Sequence, residues 1–187
     1  MLRDMNSISV SGKIFWSKLD EKESFSMLRL GIDIGEGRYN RVFVTVSNPH
    51  EKSYQFVKND NQVILIGAWL DCWKKDNGDM ELQLKAYDSN IQFYTPEKVI
   101  PHLNEVIIYG SVMNFSNGEA TMDCIGGRNP KTSEYTHRTI PVTLGDDYGD
   151  LSGKKIMLRG TLGTEEIDEK KSKLKVFVDY DKVNLLG

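Results

Sequence analysis

The sequence predicts an all-β protein made of two small barrels in tandem, on three observations. Short, turn-bounded runs rich in β-branched and aromatic residues fill the chain. Three landmarks recur in the same order in its two halves. Each half carries one glycine in its first run and another in its fourth.

Taken in order, Ile8-Ser9-Val10-Ser11 alternates as a half-buried strand does. Phe25 to Ile34 places Leu28, Leu30, Ile32 and Ile34 on one face. Arg41-Val42-Phe43-Val44-Thr45-Val46 is β-branched and aromatic, and Phe43 reads as core. Val63-Ile64-Leu65-Ile66 is continuously apolar, and Leu82 to Tyr87 alternates again. Asn77-Gly78, between Trp73 and Met80, reads as a hairpin turn because both residues tolerate positive φ. Residues 54–60 read as one helical turn or a short loop, with Tyr54 and Phe56 packing it against the barrel bottom.

The second half echoes the first. Asn6 to Ile14 returns in pattern as Asn104 to Val112, Asn61 to Leu70 as Gly153 to Leu162, and Asn90 to Phe93 as Lys182 to Leu185. Gly12 and Gly67 lie 55 positions apart, and Gly110 and Gly160 lie 50 apart. Ordered landmarks at near-equal spacing argue for two copies of one unit. With 187 residues, each copy has enough chain to close its own core. The expected division is residues 1–95 and 102–187, joined at 96–101, where Pro96 and Pro101 interrupt pairing. A strand glycine marks a bulge or the sharp bend where a small barrel turns its corner. Two tandem five-stranded OB-fold barrels fit this pattern.

Composition excludes more than it assigns. No apolar run approaches the ~20 residues of a membrane helix, and Met1 to Met5 lacks the apolar core of a secretory signal. A cytoplasmic protein with no membrane contact is expected. Cys72, Cys124, His50, His102 and His137 show no metal-ligand spacing, so no cofactor or metal is expected. Asp146-Asp147 and Asp150 read as a polar loop in preference to a divalent-ion site. No nucleophile elbow or acid–base pairing is evident, which argues against an enzyme. The net charge of -3 leaves any nucleic-acid role to the distribution of charge.

The first half resembles the bacterial single-stranded-DNA-binding (SSB) family over roughly residues 5 to 94. The resemblance rests on Asn6 to Ile14, Tyr39-Asn40-Arg41-Val42-Phe43-Val44, Asn61 to Gly67, Trp73 to Gly78 and Asn90 to Phe93. It implies bases stacked on aromatics while Lys and Arg follow phosphates. Tyr39 matches the family's third-strand stacking aromatic, and Trp73 falls within one residue of its hairpin aromatic. The chain departs from the family by ending Val183-Asn184-Leu185-Leu186-Gly187, in a strand pattern without an acidic tail. That departure counts against tail-dependent recruitment of replication proteins and leaves them open as partners. Two barrels per chain, instead of one in a tetramer, suggest a monomer, a homodimer or another homo-oligomer in a divergent bacterial, phage or mobile-element version.

Sequence-tolerant binding of a single strand needs flat π-faces and cations along the backbone. Candidates on the elements that form OB surfaces are Lys13, Trp16, Arg29, Arg38, Tyr39, Arg41, Trp69, Trp73, Lys74 and Lys75. Trp69 fits a core plug as well as a stacking face, and Trp16 fits a barrel end or a subunit interface. In the second half Arg128, Lys131, Tyr135 and Arg138 form a thinner secondary set. Gly126 to Lys131 reads as a basic hairpin loop without the full phosphate-loop pattern, and Glu165 to Lys171 reads as a solvated hairpin tip. The expected partner is single-stranded DNA, with RNA open because stacking serves both. The alternative is an OB-fold adaptor whose aromatics contact protein in a replication assembly.

Overall fold

The computed structural model describes residues 5–22, 25–35, 40–47, 49–50, 57–78, 80–128, 132–144, 148–168 and 171–185. These form β1 (Met5–Lys22), β2 (Phe25–Asp33), β3 (Arg41–Ser47), β4 (Gln62–Lys74), β5 (Met80–Tyr87), β6 (Ile91–Tyr94), β7 (Asn104–Ser116), β8 (Glu119–Arg128), β9 (Tyr135–Thr143), β10 (Lys155–Asp168) and β11 (Lys171–Leu185). A single 3₁₀ turn at Asp88–Asn90 separates β5 from β6. Apart from that turn and the 3₁₀ geometry of Asn40, the regular structure of the described residues is all strand.

Period-2 patterning decides which side chains fill the first barrel. Leu28, Leu30 and Ile32 of β2, Val42, Val44 and Val46 of β3, and Leu82, Leu84 and Ala86 of β5 all point inward and are buried. The strands pair in the closed order β1–β2–β3–β5–β4–β1, with β3 and β5 parallel. This is the five-stranded OB barrel. Closure depends on the length of β1, whose Lys13–Lys22 stretch pairs with β2 while Ile8–Lys13 pairs with β4. Gly12 sits where β1 changes partner; a Cβ there would run into the Asp33 carbonyl. Only glycine permits so close a backbone approach.

The remaining strands pair as β7–β8–β9–β11–β10–β7, with one parallel bridge, Phe177 to Thr143, between β9 and β11. Local devices match position by position. At Gly110 a Cβ would meet the Asp123 carbonyl, as at Gly12 with Asp33. The ladder slips between Ile14 and Trp16 on β1, and between Val112 and Asn114 on β7. The Asn6 side chain donates to the Leu70 carbonyl (2.7 Å) and accepts from its N–H (3.0 Å). Asn104 does the same with Leu162, both bonds at 2.8 Å.

β1 also pairs antiparallel with β7, Met5 to Val10 against Asn104 to Tyr109, so one sheet runs through both halves. The connecting segment is stitched to the first barrel. The Ser11 hydroxyl donates to the Pro101 carbonyl (2.7 Å) and accepts from Leu103 N–H (2.8 Å). The Gln62 amide donates to the carbonyls of Pro96 and Lys98.

Three sequence expectations change. The fourth-strand glycines are not equivalent, because Ile8 pairs with Ala68 whereas Val106 pairs with Gly160. Gly67 is an inserted bulge residue at φ 73°, and the Asn90 amide beside it donates to the Ile66 carbonyl at 2.9 Å. Gly67 and Gly160 share a sequence pattern but have different jobs. At Asn77-Gly78 only Gly78 has positive φ, and its N–H donates to the Lys75 carbonyl at 2.9 Å. The two-residue hairpin with both residues at positive φ is instead Asn117-Gly118, between β7 and β8. β6 is a sixth strand of the first half, laid along the Gln62–Leu65 end of β4. Residues 54–56 lie outside the described residues.

Candidate nucleic-acid interface

The outer face of β1–β2–β3 holds an aromatic cluster that the bulge creates. The extra residue at Phe15 lets Phe15 and Trp16, neighbours in sequence, both face outward. Gly31 lies beneath them, and a Cβ on it would come within 2.6 Å of the Phe15 ring. Glycine therefore leaves the sheet low enough for the ring to settle. Across the pair from Gly31 stands Phe43. Its ring meets Phe15 edge-on at 5.6 Å between centroids and Trp16 at 5.8 Å. Phe43 is 56% exposed, so its expected core place is overturned. The alternation itself carried the signal: with Val42, Val44 and Val46 inside, Phe43 has to point out.

The second aromatic strip runs along the outer side of β4 and β5. Trp69, Asp71 and Trp73 share a face of β4, opposite Lys85, Gln83 and Glu81 of β5. Trp69 contacts Tyr87, with centroids 4.7 Å apart, and is half-buried without being a core plug. Trp73 is 59% exposed. Tyr87 is an addition to the expected set, marked by the same alternation, since Leu82, Leu84 and Ala86 face inward. One row of residues in register, Lys18–Arg29–Thr45–Lys85–Trp69, crosses all five barrel strands and links the two strips around the outside.

Carboxylates temper most cations of this surface. Arg41 lies over the Phe15 ring at 4.8 Å and pairs with Asp33 at 2.9 Å. Arg29 pairs with Asp20 at 3.3 Å, Lys18 with Asp20 at 2.9 Å, Lys75 with Glu81 at 2.5 Å and Lys85 with Asp71 at 2.5 Å. Lys13 and Lys74 are exposed and have no carboxylate partner among the described residues. Exposed ion pairs contribute at most about 1 kcal/mol, so a phosphate can replace a surface carboxylate at small cost.

The matching face of the second half is stripped of this chemistry. By strand pairing, Met113 and Asn114 stand where Phe15 and Trp16 do, Pro141 where Phe43 does, and Thr139 where Arg41 does. Glu119 replaces Arg29, and Glu165 and Glu166 replace Trp73 and Lys74. Asp123 keeps the place of Asp33 but meets His137 Nδ1 at 3.0 Å. Lys175 joins Glu119 (3.3 Å) and Glu165 (3.1 Å). Partial burial opposes its charge, yet the two carboxylates hold its pKa above the usual lysine value.

Of the secondary set, Arg138 is brought to the first half, its guanidinium 5.7 Å from the Trp69 ring centroid. Tyr135 is exposed at the start of β9, paired with Arg128 of β8. Arg38, Tyr39 and Lys131 lie outside the described residues, as do Asp146 and Asp147, and nothing of the Arg128 side chain is described. Among the described residues no helix is long and apolar enough to cross a membrane.

No family model matches the sequence, and no curated protein matches it. Among solved structures the chain is similar to a deletion mutant of the single-stranded DNA binding protein from Thermus aquaticus, with a TM-score of 0.71 and 13% identity. The match covers 100% of this chain and 97% of that one. At that identity the likeness establishes the fold alone, an SSB-like OB fold.

Proposed function

We propose that the chain binds single-stranded DNA without regard to sequence, as a non-catalytic protein acting in replication or recombination. The observation that carries this reading is the Phe15–Trp16–Phe43 cluster, outward-facing over Gly31 with Arg41 laid on Phe15. A core has no use for aromatics there, and bases stack on such faces whatever their identity. Lys13 and Lys74, with the ion-paired Arg29, Arg41 and Lys75 beside them, suit a phosphate backbone. Lys13, Trp16, Arg29, Arg41, Trp69, Trp73, Lys74 and Lys75, with Phe15, Phe43 and Tyr87 added, form the path. Residues 1–95 carry the strand, and residues 102–187, a second OB-type unit joined through 96–101, serve assembly into a homo-oligomer or a secondary contact. The stripped second face supports that division of labour.

The test is a titration of the full chain with oligo-dT, following tryptophan fluorescence at two salt concentrations. Quenching that weakens with salt is the expected result. Absence of quenching and of a gel shift at low salt refutes it. Competition by oligo-U measures any tolerance of RNA.

A further inference from the structure

The second half reaches the nucleic-acid path at a different place from its own barrel face. Arg138 of β9 crosses to β4 and rests over Trp69, which in turn leans on Tyr87. Its seat is built by Gly126 of β8. A Cβ there would stand 2.6 Å from the guanidinium Nη1 and 2.6 Å from Thr136 Oγ1, so a larger residue would push the arginine off. The manner of holding matters. Arg29 and Arg41 are held by carboxylates that neutralise them. Arg138 has no carboxylate partner among the described residues and is held by a ring face within the ~6 Å of a cation–π contact. A ring fixes the guanidinium without consuming its N–H donors or its charge. Its planar fork stays available for bidentate phosphate recognition.

We propose that Arg138 is a phosphate-binding residue supplied by the second half to the first. It takes the backbone of a single strand as that strand leaves the row Arg29–Lys85–Trp69. This rests on the proposed single-strand function. The second half then contributes through its β8–β9 hairpin, not through the Met113–Pro141 face that corresponds to the aromatic cluster.

The experiment uses the full chain and an oligo-dT of about 30 nucleotides, longer than the ~16 that one OB fold spans at most. Binding is measured across a salt series for wild type, Arg138→Ala, Arg138→Lys and Gly126→Val. One lost phosphate contact flattens the log K against log salt slope by about 0.7 for a single strand. Arg138→Ala is expected to show that flattening with several-fold weaker binding. Arg138→Lys retains the slope, and Gly126→Val, which keeps the charge but crowds it from its seat, follows Arg138→Ala. An unchanged slope in Arg138→Ala overturns the proposal even where thermal stability falls, because Arg138 would then only tie the halves together. Failure of the wild type to bind removes the functional reading itself, a result distinct from failure of the variant alone.

Discussion

Asn6 and Asn104 each spend a whole side chain on two backbone groups of a neighbouring strand. Both amides are partly buried, so removing either leaves an N–H and a carbonyl of β4 or β10 unsatisfied. Asn6→Ala and Asn104→Ala are each expected to cost about 1–3 kcal/mol in urea denaturation, with similar losses at the two sites. Nothing in the residue type announces this role; Asn in a strand reads as a turn or edge signal until the partner strand is known. Cys72 offers a second check. Burial raises its thiol pKa, and the Asp71 charge adds to the effect. The folded chain thus holds the proton longer than the unfolded one. That contribution to stability is intact below the ordinary thiol pKa of about 8.5 and is lost as pH rises through the folded value. Alkylation by iodoacetamide at pH 8 should be slow in the native protein and should accelerate in denaturant.

Among the elements, strand existence was legible because the apolar alternation of β2, β3 and β5 is strong. Bulges were legible in part: a strand glycine marks the one at Gly67, whereas the inserted Phe15 has no composition of its own, and both matter. The one at Phe15 assembles the aromatic cluster, and the one at Gly67 spoils the apparent equivalence with Gly160. Phe43 departs from its expected core place for a different reason: the two-residue period of β3 outweighs hydrophobicity and puts it outside. Ion pairing across strands was invisible, since Asp33 meets Arg41 only once β2 and β3 are in register. That pairing yields an expectation that runs against simple intuition about a damaged site. Asp33→Asn and Asp20→Asn free Arg41 and Arg29, so each variant should bind oligo-dT more tightly than wild type and with a steeper salt slope. Isothermal titration at several salt concentrations measures both.

For the whole molecule, the strand orders of the two halves follow one pattern of pairing, and the full-length likeness to the Thermus aquaticus protein is a likeness of fold. Inequality between the halves was also readable, from the three tryptophans that all fall before residue 95. The route by which the second half approaches the first was not, because the contact of Arg138 on β9 with Trp69 on β4 joins residues 69 positions apart. The proposed hold of an acidic chain on a polyanion rests on local charge, with Lys13, Lys74 and exchangeable ion pairs on the β1–β2–β3 and β4–β5 faces, where the second half has Glu119, Glu165 and Glu166. The most direct test is an oligo-dT titration of the full chain beside a Phe15→Ala/Phe43→Ala variant and a Met113→Ala control at low salt. Salt-sensitive tryptophan quenching in wild type and control, with a loss of about 1–3 kcal/mol per unstacked base in the double variant, is the predicted result. Equal affinity in all three proteins, or no binding in any, would contradict it.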